Sequence, residues 1–96
     1  MSTPSAVDPR LPPPTNGQGT QDQLRRWKHE VETWVKLHES WVATSHQHGL
    51  KPNQQGYVLL RVLTGRAKDL CRNIPEAHIK SKNGSAQMRY SVTRLH

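Results

Sequence analysis

Apolar residues at Leu24, Trp27, Val31, Trp34, Val35, Trp41 and Val42 recur with the period of an α-helix. At about 100° per residue they fall within a face about 120° wide, with His38 on the same face and Arg25, Lys36 and Glu39 opposite. Thr20 and Gln23 have capping-box spacing, so this helix is predicted to begin near Thr20. The polar stretch 45–49, closing on Gly49, should end it. A second helix is predicted from Pro52, whose missing N–H suits the first helical position. Residues 57–63 are apolar nearly all the way round, with Arg61 the only charge, so this helix should be central and buried on most sides. A strand is the competing reading of so short a run. Pro52, the glutamine pair Gln54–Gln55 and the absence of alternation favour a helix. Gly65 then marks a cap or tight turn. Ala67, Leu70, Cys71 and Ile74 predict a third, short helix that Pro75 stops. Residues 76–84 read as a connector ending in an Asn83-Gly84 turn. Residues 85–96 offer only Met88, Val92 and Leu95, and read as a short helix or a tail.

The pattern therefore predicts an all-α fold, a small bundle of three to four helices over residues 20–84, with 85–96 undecided. Residues 1–19 hold five of the seven prolines, plus Gly17 and Gly19. Such a segment has too little apolar surface to offset its ordering entropy, so a disordered or partly polyproline leader is expected. Pro9-Arg10-Leu11-Pro12 has the spacing that docks in aromatic grooves of partner domains. Short proline motifs arise freely by chance, and a plain linker is the expectation.

Composition narrows the function. Only 32% of the 96 residues are apolar and there is no Phe, so Trp, Val and Leu must build the core. Trp27, Trp34 and Trp41, seven residues apart, stack along one face of the first helix. A stripe of this kind is core or a subunit interface, and its other use is as a platform for unpaired bases. With Val31, Val58, Leu59 and Leu63 these tryptophans form the candidate core or assembly surface. Cys71, the single cysteine, rules out an internal disulfide and lies on an apolar stripe, where a thiol is an inert small hydrophobe. Of the six histidines, His29 and His38 are nine apart, and His46 and His48 share a loop without acidic or thiol partners, so no metal site is expected. The chain contains no P-loop, nucleophile elbow or dinucleotide fingerprint, and Ser40, Ser45 and Cys71 lack a placed base. The expectation is a non-enzymatic module with no cofactor and no small-molecule substrate. The longest uninterrupted apolar run, 57–60, is far too short for a bilayer, and no apolar stretch follows a basic start, so neither a membrane span nor a secretory signal is expected. A lone thiol fits a reducing compartment, and the expected location is the cytoplasm.

Charge is uneven. Residues 1–23 carry a net −1 and residues 24–50 a net +1, whereas residues 51–96 hold nine basic residues against Asp69 and Glu76, a net +7. An excess confined to one half points to an anionic partner, with RNA or DNA the usual one, although a solvated basic surface has the same composition. Arg61, Arg66, Lys68 and Arg72 lie on consecutive turns around Gly65, and Lys80 and Lys82 flank a loop. These six are the candidate nucleic-acid contacts. No aromatic is interleaved with them, so sequence-specific readout is not expected.

Two stretches, in order, carry a resemblance. They are Leu24-Arg-Arg-Trp-Lys-His-Glu-Val-Glu-Thr-Trp34, and Gln55-Gly-Tyr-Val-Leu-Leu-Arg-Val-Leu-Thr-Gly-Arg-Ala67 with Ile74-Pro75. Together they resemble the N-terminal part of the Gag capsid-like domain of long-terminal-repeat retrotransposons of the copia or gypsy kind. Those proteins open with a proline-rich leader and a Trp-x6-Trp helix, followed by a Gln-Gly-x-x-Leu-Leu-x-x-Leu-x-Gly-x-Ala helix pair. The similarity spans about residues 22–84. It implies an all-helical assembly domain that multimerises around the element's RNA. The sequence departs from the pattern after Gly84, where a leucine-rich helix is the family's usual continuation. It also has no Cys-x2-Cys-x4-His-x4-Cys knuckle and no protease Asp-Ser/Thr-Gly, so it reads as a truncated or shifted Gag fragment. With little left to cover the apolar run 57–63, self-association is expected. A small DNA-binding module and a protein-interaction adaptor working through the Trp helix are the alternatives.

Overall fold

Thr20 starts the first helix as its spacing predicts. Its hydroxyl accepts the Gln23 N–H at 3.1 Å, and Gln23 Oε1 accepts the Thr20 N–H at 2.9 Å. The computed structural model describes residues 9–93, among which there are five helices. These are α1 (Gln21–Ala43), α2 (Pro52–Val62), α3 (Gly65–Arg72), the single turn α4 (Glu76–Ile79) and α5 (Gly84–Thr93). The fold is all-α. α1 ends in a Schellman arrangement, with the His46 N–H on the Trp41 carbonyl and the Ser45 N–H on that of Val42. Ser45 takes the left-handed position that a glycine usually fills. Pro52 stands in the first turn of α2, and Gln54 Oε1 accepts the Lys51 N–H there at 3.0 Å.

One core joins all five helices. Leu24, Trp27, Val31 and Trp34 of α1 meet Leu59 and Leu63 from α2 and its end, Ala67, Cys71 and Ile74 from α3 and its end, Ile79 of α4, and Met88 and Val92 of α5. Gln55 is buried too, its amide donating to the Leu50 carbonyl at 3.1 Å. Gly65, expected as a cap or turn, is the first residue of α3.

Three expectations change. The first is the leader. Residues 1–8 lie outside the described residues, and residues 9–19 run as a strap hydrogen-bonded to α1 and to the start of α3. Pro12 and Gly17 are buried. Trp27 Nε1 donates to the Pro13 carbonyl at 2.8 Å, and His38 Nε2 lies 3.0 Å from that of Pro9. The Thr15 and Asn16 carbonyls accept the Thr64 and Ala67 N–H groups at 3.1 and 3.0 Å. A helix leaves its first N–H groups without partners, and the Thr64 side chain makes no cap bond to α3, so the strap supplies that cap. Apolar content alone does not hold this segment: α1 and α3 hold out donors to the strap's carbonyls.

The second change is residues 85–96. Up to Thr93 they form most of α5, which packs against each of the other four helices. Met88 and Val92 are fully enclosed, and small Gly84 and Ser85 let the helix begin deep in the fold. Arg89 ties it to α1, with its guanidinium 3.7 Å from Glu32. Leu95 lies outside the described residues. The domain therefore continues through α5, and the apolar face of α2 that seemed to lack cover has it.

The third is α2 itself, which is not buried on most sides. Leu59 and Leu63 are enclosed and Val58, Leu60 and Val62 are half-buried, but Tyr57 and Arg61 face solvent. Among the described residues no helix is long and apolar enough to cross a membrane.

Candidate nucleic-acid interface

The Trp stripe divides along its length. Trp27, Val31 and Trp34 are core, as are Leu59 and Leu63, with Val58 packed against them. Trp27, Val31, Leu59 and Leu63 are thereby closed to unpaired bases and to a second copy, whereas Val58 and the edge of Trp34 still line surface depressions. Trp41 is only half-buried and leaves the core to stack on His46, with centroids 4.3 Å apart and planes 11° from parallel. Val42, predicted on the apolar face, is exposed, because α1 outruns the helices that cover it.

His38 sits at the centre of an aromatic column, 4.6 Å from Trp34 and 4.8 Å from Trp41. Its Nδ1 accepts the Leu50 N–H at 3.1 Å, so Nε2 carries the ring proton and donates to Pro9. The neutral ring thus clamps the strap to the segment entering α2. Burial lowers its affinity for a second proton, the bond to the Pro9 carbonyl opposes this, and nearby His46 reinforces it, for a net downward shift. A proton on Nδ1 would also face the Leu50 N–H head on. A group whose pKa is depressed by folding contributes stability that is complete above its unfolded value, about 6.5 for histidine, and is lost as pH falls through the folded value. The urea midpoint should therefore hold steady above pH 7 and fall progressively below about 6.5. The His38→Gln variant should be weaker throughout and should lack most of that acid slope. If both proteins lose stability in parallel, the slope belongs to other groups.

Cys71 is enclosed beneath α5, with its Sγ 3.9 Å from the Met88 carbonyl. Burial pushes its thiol up to about 11, so it stays protonated and unreactive at neutral pH. Among the described residues no three His, Cys, Asp or Glu side chains converge to hold a metal.

The six candidate basic contacts do not form one track. Arg66, Lys68 and Arg72 belong to α3, where Arg72 pairs with Asp69 at 3.6 Å. Lys82 is exposed in the turn before α5. Arg61 and Lys80 are brought together with something the sequence hid, an exposed aromatic. Tyr57 and Arg61 are one turn apart on α2, and the guanidinium carbon lies 5.0 Å from the ring centroid. On one side of Tyr57, a depression of about 380 Å³ is lined by Leu50, Asn53, Gln54, Tyr57, Val58 and Lys80. A second depression next to it shares Leu50, Gln54 and Val58, and adds Arg61, His48 and Arg10. Among the described residues no carboxylate lines either, although Glu76 holds Lys80 at 3.0 Å. The reading that no aromatic accompanies the basic residues is thus corrected. Only the α2 helix, with i and i+4 on one face, and the return of the chain through α4 bring the three together. The usable signal was the four-residue spacing of Tyr57 and Arg61.

In comparisons with known proteins, the chain matches no family model, no curated protein and no solved structure.

Proposed function

We propose that the protein is a Gag-like structural module of a long-terminal-repeat retroelement, a helical unit that associates with copies of itself and holds RNA through charge without reading its sequence. The observation that carries this reading is where the resembling residues lie. Trp27 and Trp34 of the first stretch share one core with Leu59, Leu63 and Ala67 of the second, while Gln55 and Gly56 are buried between α2 and its neighbours. Motif residues spent on packing describe a scaffold, and the surface then carries the function.

Two apolar surface features support self-association. A depression of about 270 Å³ lies between the strap and α1, lined by Pro9, Leu11, Pro13, Trp34 and Leu37 among others. Tyr90, 61% exposed, stands on α5 beside a hollow with Leu70, Ile74 and Pro75. Exposed apolar features of this kind drive association. The basic surface, net +7 over residues 51–96, supports attraction to a polyanion. Sedimentation equilibrium of the full chain, without nucleic acid and over a wide concentration range, tests the assembly half. The mass should rise with concentration and Tyr90→Ser should reduce the rise. A protein that stays monomeric at the highest concentration overturns the assembly reading.

A further inference from the structure

We infer that the depression beside Tyr57 is a slot for an unpaired base of a single-stranded nucleic acid, with Tyr57 as its stacking wall and Lys80 and Arg61 holding the flanking phosphates. This rests on the nucleic-acid half of the reading above and gives it a place and a preferred form of ligand. The chemistry has four parts. Tyr57 is 46% exposed on a helix whose other apolar residues are buried or half-buried, and the part of its ring left in water is an available stacking surface. Leu50 and Val58 provide an apolar floor that accepts the flat face of any base. Asn53 lines the same depression and carries both a donor and an acceptor for base edges, a contact too adaptable to fix a sequence. Positive charge lies near the ring, from Lys80 in the slot and from Arg61, whose guanidinium carbon is 5.0 Å from the ring centroid.

Two points favour a single strand over other polyanions. A paired base shows only its edges, so the exposed ring face of Tyr57 has nothing to stack on in a duplex. Among the described residues the lining of the two depressions holds the cations Lys80, Arg61 and Arg10 and no carboxylate, with Glu76 pairing Lys80 from outside, and this excess suits a continuous phosphate backbone better than a protein of mixed charge.

The test uses the full chain and short fluorescein-labelled oligo(U), with binding followed by anisotropy over a salt series. Tyr57→Ala, at an exposed position, should fold as wild type by circular dichroism and bind roughly 5- to 100-fold more weakly, the range set by losing one base–aromatic stack. Tyr57→Phe, which keeps the ring face, should bind within about twofold of wild type. Lys80→Ala should lower the slope of log affinity against log salt by about one. Ser40→Ala, at an exposed position of α1 outside both depressions, should bind as wild type. Duplex RNA should bind more weakly and be insensitive to Tyr57→Ala, and uridine monophosphate should compete poorly. The inference is overturned if Tyr57→Ala binds as wild type, if duplex and single strand bind alike, or if the mononucleotide displaces the oligonucleotide at matched concentration. It is also overturned if the wild type binds no oligonucleotide at low salt. That last result leaves the assembly reading intact, because self-association is measured without nucleic acid.

Discussion

Trp34→Ala is expected to destabilise the protein by about 3–5 kcal/mol, enough to unfold most of a domain this small. Trp34 is 5% exposed and lies where α1, the strap and the core meet, against Val31 of the same cluster and the His38 ring. Truncation removes most of an indole's buried area and leaves a cavity among side chains held by backbone bonds on two sides. The same position supplies its own control. The Nε1 of Trp34 is buried with no hydrogen-bond partner among the described residues. An unpaired buried donor costs about 1–3 kcal/mol, so Trp34→Phe removes a penalty while losing only part of the ring. Its net effect should be within about 1 kcal/mol of zero. Trp27 behaves differently, because its Nε1 holds the Pro13 carbonyl at 2.8 Å. Trp27→Phe should cost about 1 kcal/mol and should loosen the strap. Urea denaturation of the three variants separates these cases. A Trp34→Ala protein within about 1 kcal/mol of wild type would remove Trp34 from the core and with it the packing argument.

The second large effect is expected at Gly56. Alanine is about 1 kcal/mol better than glycine inside a helix, so propensity alone predicts stabilisation there. The structure reverses the sign. A Cβ on Gly56 would be driven into the Ile79 carbonyl oxygen and would come within 3.3 Å of the Gly84 backbone. α2 meets the end of α4 and the start of α5 glycine to glycine, leaving no flexible side chain to swing aside. Gly56→Ala should therefore cost about 2–3 kcal/mol net of its propensity gain, since α2 must move off its neighbours. Thermal melts and urea titration give the value. A neutral or stabilising result would mean that α2 and α5 pack with more room than the glycine contact leaves them. The Gln-Gly pair in the resembling motif has in this fold a definite physical role. Gln55 ties the start of α2 to Leu50, and Gly56 lets α4 and α5 approach.

The amino-acid sequence by itself determined the periodic elements. Thr20 with Gln23 marked the start of α1, the positions 24, 27, 31, 34 and 38 marked its inner face, Pro52 opened α2, and 67, 71 and 74 gave the buried side of α3. These signals are local, set by helical geometry and by the caps that helix ends require, and they survive whatever packs against them. Tertiary structure alone decided the rest. The strap orders because Trp27, His38, Thr64 and Ala67, up to about fifty residues away, offer donors to its carbonyls. α5 is central although it brings only Met88 and Val92 to the core, because Gly84 opposite Gly56 lets it in. Trp41 shares the stripe's period but lies beyond the reach of the covering helices. Tyr57 stands four residues before Arg61 in the sequence, but only the fold sets it beside Lys80, which α3 separates from it along the chain. Periodicity records which face of a helix is apolar. Whether another part of the chain arrives to cover that face, satisfy a carbonyl or place a cation beside a ring depends on the packing of distant segments, and one-dimensional spacing does not encode it.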